Sequence, residues 1–537
     1  MKTRLKKLIA LGMAVLMTGS LCACGGEKSN SSSSQTTTQT EEKVSEAVTE
    51  AISEKSPYYG KGYDLSERKN VVLYVLGDRP ADMDKVLEEV NNTYLIPNLN
   101  STLEVKFLNW SDYQTKYSLV LAGGEDVDLM YTASWCYYND EAAKGAFKEL
   151  DEDFLKTYLP YSYEEQPEVG WQQSKIDDKL YGVPKGNASF SNYDMLVARK
   201  DLIDQYSITE PKDWTSFKEF LKELAAVQSE SGVMAMNTNA NRNQTLEPFM
   251  QAKGYDYFTE GFDYWYKADG NEELPDFNGV IYLYTSDLYL EYAKDMAELA
   301  AAGAWSKDAI NDTNDATAYF ENGTSGCIGW NFSAIDAGQK LEKAGLGTFA
   351  IYDLSPDLHM ARAHYNGDMI AIASNSKDPE RAALVLDYMK SDVDLNRTLL
   401  GGIKGVHWDL NESGQRVALE AAENYSWNSW AWALSRADEP IMEGTDERKI
   451  AITEDIESRE LHAKVAGYSF DSMPISTELS VINSIVDEYE YSFALGIYGD
   501  DTEAKFAEFK AKLEAAGLQK VTDEMKTQYE AFCAKEK

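Results

Sequence analysis

Apolar positions along this chain follow two rhythms that alternate from about residue 70 onward. Val71-Val72-Leu73-Tyr74-Val75-Leu76 is a continuous apolar run, the pattern of a short strand buried on both faces. Gly77-Asp78-Arg79-Pro80 predicts a turn, and Met83, Val86, Leu87 and Val90 then recur at helical spacing within 82–94. Residues 103–108 alternate as a second strand. A helix over 111–121 stops at Gly123-Gly124, and 127–131 forms a third strand that ends at Thr132-Ala133-Ser134-Trp135. Strand, helix, strand, helix, strand is the rhythm of a parallel sheet with flanking helices. Such sheets place their sites beyond the carboxyl ends of the strands. Here those ends are Gly77–Pro80, Trp110 and Ser134–Trp135.

The same alternation continues. An extended segment at 178–184 leads to a strand over 192–199 and helices over 200–206 and 216–228, where the chain passes into a second lobe. Residues 237–278 are polar and aromatic. Strands are predicted at 281–284, 326–330 and 369–373, and helices at 288–302, 315–321, 334–344 and 379–390. A further helix from 391 breaks at Gly401-Gly402. Three helices fill 475–535, the first running to about 498. Trp430 and Trp432, one residue apart, would share one face of a strand, with at least one of them buried. There is no internal repeat.

The amino terminus breaks the pattern. Lys2, Arg4, Lys6 and Lys7 precede an apolar run, Leu8 to Met17, too short to remain as a membrane span. Leu21-Cys22-Ala23-Cys24 resembles the lipobox of bacterial lipoproteins. That implies removal of residues 1–23, a lipid on Cys24, and a protein anchored on the extracytoplasmic face of the cell membrane. Residues 24–56, with Ser31–Ser34 and Thr36–Thr38, are too polar to bury a core and are expected to form a flexible tether. Its reach as a random coil is on the order of 30 Å.

Removing 23 residues leaves 514, which is long enough for two lobes. It also removes four basic residues and no acidic one, so the net charge goes from −39 to −43. A field of that sign repels nucleic acid and polyanions. Cys136, Cys327 and Cys533 are too sparse for a disulfide framework, although one bridge is permitted. His359, His364, His407 and His462 have no metal-ligand spacing, no calcium-loop pattern occurs, and no metal or cofactor is expected. No phosphate-binding loop, nucleophile elbow or zinc-protease motif occurs.

Four segments, in order, resemble the extracellular solute-binding proteins of ABC importers, in particular the sugar-binding Gram-positive lipoproteins. Asp177-Asp178-Lys179-Leu180-Tyr181-Gly182-Val183-Pro184 is similar to a D-G-K-x-Y-G-[IV]-P pattern, with Asp178 where glycine is frequent. Phe320 to Gly326 is similar to F-x-x-G-x-x-A/G, and Asn375 to Ala382 to N-S-K-x-P-E-x-A. Gly402-Ile403-Lys404-Gly405-Val406-His407-Trp408 is similar to G-I-x-G-x-H-[YW]. The resemblance implies an α/β, two-lobed, periplasmic-binding-protein-like fold with a hinge crossed more than once and a helical carboxyl-terminal region. The expected lobes are 57–186 with 312–375, and 187–311 with 376–537. The implied role is a monomeric, membrane-anchored subunit that captures a small molecule and delivers it to ABC permease transmembrane subunits, without nucleic acid and without catalysis.

A sugar presents C–H faces and hydroxyl edges, so its site needs flat aromatics together with Asp, Asn, Glu or Arg. The candidates at strand ends and loops are Arg79, Trp110, Trp135, Tyr138, Asn192, Trp330, Asn331, Asn366, Asp368, Trp427 and Trp430. Against an oligosaccharide stand a peptide or amino-acid derivative, which would demand a buried counter-charge, and a surface glycosidase, which would demand a carboxylate pair. An adhesin would show no closure on a small ligand.

Overall fold

The apolar run at 71–76 becomes the strand Lys69–Leu76, with every residue from Val71 on buried. In this computed structural model, residues 52–535 are described except 110–111, 177, 187–192, 241, 260, 269, 271, 360–364, 428, 435, 437, 460 and 462. The expected signal peptide, the lipidated Cys24 and most of the tether lie outside the described residues. Residues 52–56, assigned to the tether from composition, belong to the body. Ser53 N donates to Pro97 O (2.8 Å), and Ser56 is buried with its hydroxyl donating to Asn98 O (2.7 Å).

Lys69–Leu76 pairs in parallel with Ser101–Leu108 along its whole length and with Leu129–Thr132 on its other edge. Met369–Ile372 joins antiparallel to Leu129–Thr132, and Gly182–Pro184 closes the sheet. The helix Pro379–Ser391 packs on this sheet, anchored by Arg381. That buried guanidinium donates to the carbonyls of Asp64, Glu67, Leu99 and Asn100, so the charge is solvated by backbone oxygens.

A second sheet has the order Phe349–Tyr352, Met195–Arg199, Ser325–Trp330, Met234–Met236. Met195–Arg199 is antiparallel to both neighbours, and Ser325–Trp330 is parallel to Met234–Met236. The aromatic stretch within 237–278 builds a small antiparallel sheet, Tyr255–Thr259, Tyr264–Lys267 and Ile281–Tyr282. The carboxyl-terminal helices Ser476–Ala494, Thr502–Ala515 and Leu518–Lys535 join the same core. Phe258 meets Tyr529 edge-on (4.8 Å), and Trp305 Nε1 donates to Leu495 O (3.0 Å).

Each lobe has its own core, and the lobe assignment differs from expectation in two places. Residues 325–330 and 349–352, expected in the first lobe, are strands of the second sheet. Residues 376–434, expected in the second lobe, pack on the first core through Ala382–Met389, Leu395, Leu399 and Trp432. The chain therefore crosses between 184 and 195, between 358 and 365, and between 443 and 446. Leu358 belongs to the second lobe while Tyr365 N donates to Gln173 Oε1 in the first. Glu443 N donates to Arg416 O, while Arg448 pairs with Glu342 (3.0 Å). Hydrophobic pattern reports that a segment is a strand but not which sheet it enters, so the crossings were misplaced. Across the lobes, Lys535 pairs with Asp178 (2.7 Å), and residues 464–467 lie beside the helix Glu168–Gln173.

Candidate functional site

The parallel strands Lys69–Leu76 and Leu129–Thr132 end on one edge of the first sheet. After Thr132 the chain turns tightly. Thr132 Oγ1 donates to Cys136 O (2.9 Å), Ser134 N donates to Asn366 O (2.8 Å), and Tyr137 takes φ 57°. The turn leaves Trp135 41% exposed, steered by its Nε1 donating to Gly367 O (2.9 Å). Because Met369 pairs antiparallel with Thr132, the preceding Asn366–Asp368 arrive at the same edge. Asp368 is buried. It accepts from the Tyr131 hydroxyl (2.7 Å) and forms a short ion pair with Lys185, the residue after Gly182–Pro184. Burial, and then Asp368, hold the Tyr131 phenol well above its ordinary range, so it stays a donor. Trp430 completes the cluster, 5.6 Å from Tyr131 and 5.9 Å from Trp135 by ring centroids. It sits on a 3₁₀ turn, Ser429–Trp432, rather than on the expected strand, and Trp432 points into the core. The result is an aromatic wall over a neutralised ion pair.

The second lobe offers a different face at the strand end Trp330, which pairs with Met195. Gly329 is required there, since a Cβ would lie 2.3 Å from Gln244 O. That close approach brings Arg242 over the Trp330 ring, 4.2 Å from its centroid. Arg242 is held by the Thr317 hydroxyl (2.6 Å) and by Asp315 (3.6 Å). Asp194, just before Met195, is buried. Burial, and then the neighbouring Glu247, push its carboxyl well above the ordinary range. Arg459 holds the second-lobe ends of two crossings at once. It pairs with Asp353 (2.7 Å), lies over the Tyr193 ring (5.3 Å), and donates to Ser355 O (3.1 Å). Nine Cα-to-Cα steps lead from Lys185 to Asp194, so the chain keeps these two residues within about 30 Å of each other.

The other candidates fall elsewhere. Tyr138 is buried, with its hydroxyl donating to Ser174 O (2.6 Å) and accepting from Tyr181 N (3.1 Å), so it is a strut of the first lobe and not a ligand contact. Asn331 accepts from the backbone and hydroxyl of Ser333 (3.0 and 2.9 Å) and starts a helix. Trp427 is half-buried between Phe107 (5.4 Å) and Trp432 (4.9 Å). Arg79 is exposed at the expected strand end and paired with Asp84 (2.6 Å). Asn366 donates to Gln173 O (2.8 Å), leaving Oδ1 buried without a partner. Trp110 and Asn192 lie outside the described residues. Sequence reasoning missed Lys185, Tyr131, Arg242 and Asp194. Lys185 and Asp194 flank the predicted crossing, a signal that could have found them.

The four motifs that carry the resemblance turn out to be scaffold. Asp178 adopts φ 64°, the left-handed conformation that explains the frequent glycine there. Ser376 donates to Asp128, which accepts from Val72 N (2.9 Å). Gly402 takes φ 85°, and a Cβ there would strike the His407 ring. His407 Nδ1 accepts from Ile403 N (2.9 Å), so its Nε2 carries the proton directed at Asp82 (3.3 Å). Cys136, Cys327 and Cys533 are unbridged, and no group of side chains among the described residues could hold a metal ion.

Two α/β lobes, crossed three times and carrying unlike chemistry at their strand ends, define a two-lobed architecture. The bacterial extracellular solute-binding protein family matches residues 98–394, more than half of the chain, and the chain belongs to that family. Membership makes it an extracellular solute-binding protein. Residues 464–534 match a domain of unknown function (DUF3502). A carbohydrate ABC transporter substrate-binding protein of Streptococcus pneumoniae serotype 4 is 21% identical over 89% of this chain and 94% of its own. The fold is similar to that of the N-glycan transport solute-binding protein NgtS of the same species, with TM-score 0.68 and 18% identity over 87% of this chain and 100% of that one. It is also similar to the alginate-binding protein AlgQ2, with TM-score 0.59 and 14% identity over 86% and 98%.

Proposed function

We propose that the chain captures a neutral oligosaccharide between these two faces and presents it to an ABC permease, as a monomer held to the membrane through Cys24. The observation that supports this most is the Trp135–Trp430 wall above the Lys185–Asp368 pair. Flat rings suit the C–H faces of a sugar, and the polar groups around them suit hydroxyls. The charges at both strand ends already have partners inside the protein: Lys185 with Asp368, Arg242 with Asp315, Arg459 with Asp353. A charged ligand would need an unpaired counter-charge, which favours a neutral sugar over uronates or peptides. The carbohydrate transporter relative and NgtS, solved in complex with Man1GlcNAc and Man5GlcNAc, point to the same ligand class.

A thermal-shift series tests this with neutral oligosaccharides, alginate oligomers and short peptides. At about 100 times its Kd a ligand adds about 2.7 kcal/mol of stability, and the expected shift is several degrees. A shift with neutral oligosaccharides that disappears in Trp135→Ala/Trp430→Ala is the expected result. Shifts confined to peptides or to acidic oligomers would overturn it.

A further inference from the structure

Lined by residues distinct from those at either strand end, a cavity of about 450 Å³ lies at the carboxyl-terminal end of the helix Pro379–Ser391, a size that accommodates a small ligand. It lies where the amino-terminal segment 52–63 docks against the start of the helix Pro160–Glu165 and the end of Pro379–Ser391. Its walls are the rings of Tyr58, Tyr63, Tyr161 and Tyr388. Three of these hydroxyls are engaged by the scaffold. Tyr63 donates to Thr157 O (2.8 Å), Tyr388 accepts from Asn98 Nδ2 (2.9 Å), and Tyr161 accepts from Arg436 (3.4 Å). Tyr58 stands edge-on to Tyr388 at 5.5 Å. Tyr58 and Tyr388 are buried and form the floor, which leaves the partly exposed rings of Tyr63 and Tyr161 open to a ligand; both are held in place beforehand, which lowers the entropic cost of stacking on them.

The polar groups around the walls are mixed in character. Asp387 is buried and accepts from Tyr161 N, Ser162 N and the Ser162 hydroxyl, with Lys390 close enough to balance its charge. Asp392 at the rim uses Oδ1 to accept from Leu395 N (2.9 Å), and Ser391 lies beside it. Lys61, also at the rim, makes no ion pair among the described residues. Two carboxylates and two ammonium groups leave little net charge, which argues against a cage for an organic cation. Fixed ring faces with a donor and an acceptor at the mouth suit a pyranose.

From this we infer that the first lobe holds a second saccharide site, of one or two sugar units, at the foot of the amino-terminal segment and separate from the interlobe site. Such a site would let the protein rest on a glycan while the interlobe face exchanges its ligand.

The test uses saturation-transfer NMR on the full chain with methyl glycosides of glucose, mannose, galactose and N-acetylglucosamine, and with choline as the cation probe. Trp135→Ala/Trp430→Ala removes the interlobe wall, Ser391→Trp fills the cavity mouth, and Lys61→Ala removes the rim donor. The expected result is a glycoside that still binds the double variant with millimolar Kd, is lost at least tenfold on adding Ser391→Trp, and weakens about threefold on adding Lys61→Ala. Circular dichroism verifies the fold of each variant, and Lys61→Ala, at an exposed position, keeps the test open should Ser391→Trp misfold. Loss of every glycoside in the double variant overturns the second site, as does binding indifferent to both cavity changes, or binding of choline alone. An interlobe site that fails would instead appear as oligosaccharide binding unaffected by the tryptophan double variant, so the two readings fail separately.

Discussion

The two lobes meet the cleft with opposite strategies. The first lobe exposes Trp135, backs it with the half-buried Trp430, and hides its charge in the buried Lys185–Asp368 pair. The second lobe covers its strand-end tryptophan, Trp330, with Arg242 and buries a carboxyl, Asp194, one residue before the paired strand Met195–Arg199. One face is suited to stacking and the other to hydrogen bonding. The lesson is that a binding cleft need not be symmetric in chemistry when its halves are symmetric in architecture. The lobe with the neutralised ion pair carries an aromatic wall, while the other lobe sets a guanidinium over its tryptophan.

The comparison breaks most severely at Asp368. Asp368→Ala leaves Lys185 buried and unpaired, and urea unfolding is expected to show a loss of about 3–5 kcal/mol. Adding Lys185→Met should recover most of it. An unchanged denaturation midpoint in the single variant would mean that the pair is solvated. Next in size, Trp135→Ala/Trp430→Ala should weaken oligosaccharide binding on the order of 100-fold, at about 1–2 kcal/mol per aromatic lost, measured by calorimetry. Arg242→Ala, which only uncovers Trp330, should cost less than about tenfold. Equal losses on the two faces would erase the distinction drawn between them.

The second lobe also carries raised carboxyls away from its strand ends, at partly buried positions. Glu490 is pushed up to about 7, first by burial and then by Asp263, and Asp263 is pushed up to about 6, first by burial and then by Glu247. A carboxyl raised in the folded state binds its proton more tightly than the unfolded chain does. The stability it contributes is present at low pH and is lost as pH rises from about 4.3 through the folded value near 7. Glu490→Gln should therefore raise Tm by roughly 1–3 °C at pH 8 and leave it nearly unchanged at pH 4.5. A Tm gain of the same size at both pH values would refute the linkage. The smallest effect belongs to Lys535 and Asp178, which tie the carboxyl-terminal helix to the first lobe at the surface. An exposed pair contributes about 0–1 kcal/mol, so Lys535→Glu should change ligand Kd less than about fivefold, and Asp178→Lys/Lys535→Glu should restore it.

Most elements were legible because their signals are local. The run at 71–76 is buried along its length, the helix at 287–302 starts at the Ser286 cap and stops at Gly303, and the three terminal helices appear where the periodicity placed them. The Asp213–Ser216 capping box likewise starts the helix Trp214–Ser231 within two residues of the expected start. The site was only partly legible. Trp135 and Trp330 do stand at strand ends, because the turn after a strand is written in adjacent residues. Tyr138, three residues past Trp135, has a similar local context, yet it is buried against Ser174 and Tyr181. Nothing near position 138 encodes those partners.

The sequence by itself determined the α/β alternation, the two-lobed class, the helix break at Gly401-Gly402 and the acidic charge. These follow from periodicity, sterics and composition, which act over a few residues. Only the tertiary structure decided which sheet takes the strands 325–330 and 349–352. It alone joined Lys185 to Asp368 across 183 residues of chain and placed Arg242 on Trp330. Those outcomes depend on which surfaces pack together, and buried charge tolerates only the partner that folding brings within reach.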